Sequence, residues 1–255
     1  MSSEVRSDRR GVAPEEKKRF IRALFDPIAS TYDLADTLLS AGLDARWRSK
    51  GIALLGLGAG QNILDACGGT AGLAVLAARN TAPGGLVIVY DFNRAMMTAG
   101  RKRIRRARVG SRVLCVQGDA EALSFPPEIF DAVTMGFGLR NLARRGEGLR
   151  EAFRVLRPGG KLMVLEFSIP FHAFVRRLYH FYSFKLMPLL AKLICGKAGP
   201  FRYLAESIRE FPSPEKAAGL FADAGFTDIF FRKLTDGIAV IFLGRKPGSQ
   251  PGESQ

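Results

Sequence analysis

The sequence predicts an α/β fold: a doubly wound, mainly parallel seven-stranded sheet with a C-terminal antiparallel hairpin. Apolar, β-rich runs alternate with helical stretches along the chain. A glycine-rich turn follows the first of these runs. The last two runs are joined only by Leu234 to Gly237, a connection too short for a parallel crossover.

The predicted strands are Asn62–Ala66, Leu86–Asp91, Arg112–Gln117, Ala132–Gly136, Lys161–Phe167, Thr227–Phe231 and Ile238–Gly244, with helical patterns separating the first five. Asp236-Gly237 supplies the turn chemistry of the closing hairpin. Helices then cover both sheet faces, and ligands sit beyond the carboxyl ends of the strands. This is the Rossmann-like arrangement of a class I methyltransferase. Two segments stand outside the alternation. Residues 14–57 precede the first strand as a helical cap carrying Phe20, Phe25, Ile28, Tyr32, Leu38, Leu39 and Trp47. Residues 168–212 form a helical insertion after the fifth strand, with aromatics and cations interleaved in FHAFVRRLYHFYSFKLMPLLAKLICGK, and are expected to be a substrate lid. The single domain spans 14–246. The polar, Ser/Gly/Pro-rich ends, 1–13 and 247–255, are expected to be disordered, because they bury too little apolar surface to offset chain entropy.

Composition narrows the function classes. The 255-residue chain is 47% hydrophobic and 24% charged, as expected of a globular domain, and its formal charge of +14 calls for an anionic surface or ligand. Cys67, Cys115 and Cys195 form no paired motif and there are two histidines, so neither a disulfide framework nor a metal site is expected. No signal-peptide pattern and no apolar run of roughly 18 residues is present, which predicts a chain that is neither exported nor membrane-spanning. A cytoplasmic location is expected.

The chemistry-bearing residues fall at predicted strand ends. Asp65-Ala66-Cys67-Gly68-Gly69-Thr70-Ala71-Gly72 leaves the first strand as a small-residue turn into a helix. It lacks the GxGxxG spelling of a dinucleotide fold and suits a nucleoside bearing an amino acid, such as S-adenosylmethionine. Asp91 ends the second strand, where a carboxylate accepts both ribose hydroxyls, and Asp119-Ala120 follow the third, where an oxygen can accept the adenine amino hydrogen. Each acid alone reads equally as a helix cap; three at one edge favour a nucleoside site. After the fourth strand, Arg140 and Asn141 place a cation and an amide beside it. An arginine there would stabilise a ring oxyanion electrostatically, or else pair with a nearby acid.

The strings FDPIASTYDLADTLLSAGLDARWR, ILDACGGTAGLA, GDAEALSFPPEIFDAVTMGFGLRN, VLRPGGKLMVLEF, YHFYSFKLMPLLAKL and FRYLAESIREFPS resemble the ubiquinone/menaquinone biosynthesis C-methyltransferase family, the UbiE/MenG type, over roughly residues 20 to 245. The GFGLRN and RYLAES strings are the most particular to it. The resemblance implies S-adenosyl-L-methionine as cofactor, contacted by Thr70, Asp91, Asp119 and Ala120, with Asp65, Gly68 and Gly69 shaping the loop. It implies Tyr32, Arg140 and Asn141 facing the ring of a lipid-tailed quinol, the demethylmenaquinone methyltransferase type of reaction or its benzoquinol counterpart. Peripheral contact with the anionic inner face of the cytoplasmic membrane follows, and a homodimer is a further partner state to consider. The chain departs from the family's Gly-Gly-Thr-Gly-Asp loop at Ala71 and Gly72. If that glycine takes positive φ, the alanine costs on the order of 1 kcal/mol; the missing acid matters if it holds the methionine ammonium. Asp36 stands where the family often carries asparagine.

The basic run Arg101-Lys102-Arg103-Ile104-Arg105-Arg106-Ala107-Arg108 lies on a predicted outer helix, away from the catalytic edge. It reads as a solvated face or as a patch for anionic lipid headgroups, at about 1 kcal/mol per cation. Nucleic acid is not an expected partner. An RNA or DNA methyltransferase lacks support, since no Asn/Asp-Pro-Pro-aromatic or Pro-Cys motif is present. A non-catalytic relative acting in a quinone-biosynthesis assembly is the other alternative, resting on the altered loop.

Overall fold

The computed structural model describes residues 13–29, 31, 32, 37, 40, 42–187, 189 and 199–248. The expectations for the two termini lie outside these residues, except at Ala13, Pro247 and Gly248. Asp36, Leu38, Leu39 and Cys195 lie outside them as well.

All seven expected strands form: β1 (Ile63–Ala66), β2 (Val87–Asp91), β3 (Val113–Gln117), β4 (Phe130–Gly136), β5 (Leu156–Phe167), β6 (Thr227–Leu234) and β7 (Ala239–Arg245). They make one sheet in the order β3-β2-β1-β4-β5-β7-β6. The first five pair in parallel, and β7 is antiparallel to both β5 and β6, so the closing hairpin occupies one edge. The helices are α1 (Pro14–Phe25), α2 (Asp44–Leu55), α3 (Gly72–Asn80), α4 (Arg94–Arg106), α5 (Arg145–Val155), α6 (Ala173–Phe181), α7 (Gly199–Glu210) and α8 (Pro214–Asp223).

Strand alternation sorts the core into two layers. Ile63, Val87, Val89, Met163, Leu165, Ile241 and Leu243 face α2, α3, α4 and α7. Leu64, Tyr90, Val133, Leu162, Val164 and Phe242 face α5 and α8. Most of these residues are fully buried, which explains why the central strands read as continuous apolar runs. Asn93 caps α4 by accepting from the Met96 amide at 2.9 Å, and Ser213 caps α8 ahead of Pro214.

Two expectations are corrected. No helix joins β3 to β4; residues 118–129 run as turns. Pro126 and Pro127 cannot donate to a helical ladder. The amides around them bond outward instead, Leu123 to Glu151 Oε2 at 2.7 Å and Glu128 to the Arg154 carbonyl at 3.1 Å. The fifth strand also starts earlier than Lys161. Leu156 already pairs with Phe130, and the register then shifts across Arg157–Gly160, where Gly159 takes a φ of +80°.

The insertion after β5 divides in two. α7 is core, with Phe201, Tyr203, Leu204 and Ile208 buried. α6 buries no residue and continues into a π turn, Tyr182–Leu186. Among the described residues no helix is long and apolar enough to cross a membrane.

Candidate cofactor and substrate site

The strand order reverses between β1 and β4, and the crevice this leaves at the carboxyl edge is a cavity of about 890 Å³, open to solvent. The loops after β1, β2, β3 and β4 line it, with α1 as the cover. Three cations hold α1 across three of those loops. Lys17 Nζ donates to the Leu142 carbonyl at 2.8 Å, Lys18 Nζ sits 2.5 Å from Asp119 Oδ2 and 3.3 Å from Glu121 Oε2, and Arg22 Nη2 donates to the Phe92 carbonyl at 3.4 Å. The expected N-terminal cap therefore lines the cavity, through Lys18, Ile21 and Phe25.

Eight of the ten sequence-predicted residues line this cavity: Gly68, Gly69, Thr70, Asp91, Asp119, Ala120 and Asn141, with Tyr32 at its aromatic end. Asp91 is buried. Its Oδ2 accepts from the Gly69 amide at 2.9 Å and its Oδ1 from the Asn93 amide at 2.7 Å, which ties the end of β2 to the glycine turn. Burial pushes its carboxyl up to about 6, against the pull of those two amides.

Asp65 and Arg140 lie outside the cavity wall. Asp65 is almost fully buried beneath the loop, accepting from Thr134 Oγ1 at 2.7 Å and from the Ala74 amide at 3.0 Å. It anchors the first turn of α3, and burial pushes it up to about 6. Arg140 is 2% exposed and Glu166 is 0% exposed. Arg140 Nη1 meets Glu166 Oε2 at 2.9 Å and also donates to the Phe137 carbonyl, while the Arg140 amide donates to Glu166 Oε1 at 3.0 Å. The guanidinium charge is thus matched by an acid at the end of β5, and the pair clamps the turn that carries Asn141. Asn141 Oδ1 accepts from Tyr203 Oη at 3.2 Å.

The altered loop turns through three residues of positive φ. Ala71 does take positive φ, +62°, as do Cys67 and Gly69, so the alanine carries the expected strain of on the order of 1 kcal/mol. The Ala71 amide donates to the Gly68 carbonyl at 2.7 Å. α4 closes against the turn at Gly100, where a Cβ would stand 2.8 Å from the Gly69 carbonyl oxygen. Gly72 does not face the cofactor cavity: it lies on the back of the loop, against Arg48 and Arg103. An acid at this position would first meet two guanidiniums, Arg103 and Arg48, the second of which also lines the cofactor cavity.

Several lining residues carried no sequence signal. Lys18 reaches Asp119 across 101 positions of the chain. Phe137, at a φ of +58°, stacks on Phe167 with centroids 4.3 Å apart. Cys67 also lines the cavity; burial and then the nearby carboxylates push its thiol well above the ordinary value, so it is no thiolate nucleophile. Glu166 was detectable, as an acid at a strand end.

The cavity suits S-adenosylmethionine. Asp91 brings carboxylate lone pairs to its wall, Asp119 and Ala120 line the same wall just past β3, and Asn93 Nδ2 is buried there with no partner among the described residues. A doubly wound sheet whose β2 and β3 acids share one cavity with a glycine turn defines an S-adenosylmethionine-dependent class I methyltransferase. The model of the ubiE/COQ5 methyltransferase family matches residues 12–246, and the chain belongs to that family. It is 41% identical over 238 residues to the ubiquinone/menaquinone biosynthesis C-methyltransferase UbiE of Pseudomonas fluorescens (strain Pf0-1), covering 93% of each chain. It is 42% identical over 236 residues to the same-named protein of Azotobacter vinelandii, covering 92% of this chain and 93% of that one. Among solved structures, a possible histamine N-methyltransferase from Thermotoga maritima superposes with a TM-score of 0.62 at 20% identity, over 89% of this chain and 99% of that one. Phosphoethanolamine N-methyltransferase 2 of Haemonchus contortus, solved with S-adenosyl-L-methionine, gives a TM-score of 0.64 at 17% identity, over 93% and 61%. These structural likenesses show the fold.

Proposed function

We propose that the protein methylates a ring carbon of a reduced polyprenyl quinone precursor, demethylmenaquinol or a polyprenyl methoxybenzoquinol. The observation that carries this reading is the near full-length identity to the C-methyltransferases above, joined to a cavity whose nucleoside end continues into an aromatic one. Phe25 and Tyr32 pack edge to face at 5.7 Å there, beside Asn141. S-adenosylmethionine supplies an electrophilic methyl group when bound. A quinol supplies the electron-rich carbon once a ring hydroxyl loses its proton and charge moves to the adjacent position; the ring carbon then sheds its own proton to restore aromaticity.

In this reading Asp91, Asp119 and Thr70 hold the donor and α1 excludes water. Tyr32 and Asn141 face the ring. Arg140 is a positioning residue: with Glu166 it fixes the turn that presents Asn141, and the Tyr203 hydroxyl orients the Asn141 amide. Quinones extracted from cells lacking the gene should contain an accumulated ring-demethylated species, naphthoquinone or benzoquinone according to the true substrate. An unchanged quinone profile would contradict the reading.

The insertion supports a membrane role. Phe171, Phe174, Leu178, Phe181, Leu186 and Leu189 are all exposed, by 41–78%; four of them lie on α6 and the π turn, Phe171 just before and Leu189 just after, with Arg176, Arg177 and Lys185 beside them. This stripe meets the inner face of the cytoplasmic membrane and the substrate's tail. Phe174→Asp/Phe181→Asp should abolish flotation with liposomes; retention equal to wild type would place the contact elsewhere.

A further inference from the structure

A second large groove lies on the opposite side of the cofactor loop, between α2, α3 and α4. It is a shallow hollow of about 1890 Å³ with its open, solvent-filled side counted in. Its floor is made of small residues, Ala45, Gly72, Ala95 and Ala99, which let the three helices leave a hollow between them. Among the described residues five cations line it: Arg79 from α3, Lys102, Arg103 and Arg106 from one face of α4, and Arg48 from α2, which also lines the cofactor cavity with its guanidinium over the Phe137 ring. They are set against two carboxylates, Asp26 and Asp44. Asp44 stands 3.5 Å from Arg48 Nε, on the same helix.

We propose that this groove is a second binding site, for a phosphoryl group carried as a phosphate ester or diphosphate. Three features point to that chemistry. The positive charge is concave: among the described residues five cations line the hollow against two carboxylates, and a concave surface of one sign draws an anion. Four of the five are arginines, whose planar fork matches phosphate oxygens two at a time. The charge also converges on a point: a Cβ at Gly72 would stand 3.0 Å from Nη1 of both Arg48 and Arg103. The site touches the cofactor loop, since Arg103 Nη1 lies 3.2 Å from Thr70 Oγ1 and 3.3 Å from the Thr70 carbonyl oxygen. An anion drawn onto Arg103 therefore acts on the residue that lines the cofactor cavity. The proposal does not depend on the quinol reading.

Inorganic pyrophosphate, titrated into the full-length protein by calorimetry, should bind with an affinity that falls as salt rises. Lys102→Ala/Arg106→Ala should weaken it about tenfold or more. Arg101→Ala/Arg105→Ala removes the same charge from the same helix outside the groove, and should leave binding within about twofold. Gly72→Asp, which adds a carboxylate at the first turn of α3 where a negative charge is favourable, should keep the fold by circular dichroism and lose pyrophosphate. A second arm uses phosphatidylcholine vesicles with and without phosphatidic acid. Retention on the acidic vesicles that follows the groove variants and is competed by pyrophosphate identifies a lipid headgroup as the source. Pyrophosphate binding with vesicle retention indifferent to the groove identifies a soluble ester. Equal losses in the two double variants, or no groove-dependent binding in either arm at millimolar phosphate, overturns the proposal.

Discussion

Replacing Asp91 with alanine is expected to weaken S-adenosylmethionine binding by more than about 100-fold. Two charge-assisted hydrogen bonds to the ribose would be lost, at about 1.5–3 kcal/mol each. The Gly69 and Asn93 amides would lose their acceptor at the same time. Calorimetry measures this directly, and an affinity within tenfold of wild type would move the ribose elsewhere. The same residue sets a pH dependence. Its folded value of about 6 stands above the ordinary 3.8. From Asp91 alone, lowering the pH through that window favours the folded protein, which takes the proton more readily than the unfolded chain. Donor affinity moves the other way, because a protonated carboxyl is the poorer acceptor. Wild-type affinity should fall below a pH of about 6 while apo stability holds, and Asp91→Asn should flatten that fall.

The second large effect is at the buried ion pair. Glu166→Ala leaves the Arg140 guanidinium in the interior without its acid and should destabilise the protein by about 3–5 kcal/mol, a fall in Tm of roughly 10 °C. Arg140→Met/Glu166→Leu should restore most of that stability, since no charge is then stranded. The double variant separates scaffold from chemistry. If the pair only positions Asn141, kcat falls while the donor Kd stays close to wild type. A double variant with wild-type turnover would remove Arg140 from the account of catalysis altogether.

Much of this architecture was legible because its causes are local. Continuous apolar runs such as Val87–Tyr90 and Leu162–Leu165 announce strands buried on both faces, and the short link before β7 allows only an antiparallel return. The strand-end rule located Asp91 and Asp119 for the same reason: a carboxylate just past a parallel strand has few other places to point. What was not legible depends on residues distant in sequence. The Arg140 charge reads as catalytic until Glu166, 26 positions later, is seen against it. Lys18 has no pattern of its own, and its value comes from α1 folding across β3's end. The helix expected between β3 and β4 is a different case: Pro126 and Pro127 break it locally, and the amides around them bond to Glu151 and the Arg154 carbonyl instead. Gly72 illustrates the limit best. Its place in a glycine-rich loop suggested the cofactor, while the fold turns it toward the arginines behind.

The central claim is methyl transfer from S-adenosylmethionine to a ring carbon of a reduced quinone precursor. Purified protein given S-adenosylmethionine with a labelled methyl group, and a chemically reduced, short-tailed demethylmenaquinone or methoxybenzoquinol, should yield one of the two rings carrying the label on carbon. It should yield none when the quinone is left oxidised. Absence of donor binding at millimolar concentration, or donor binding with label on neither ring, would contradict the account.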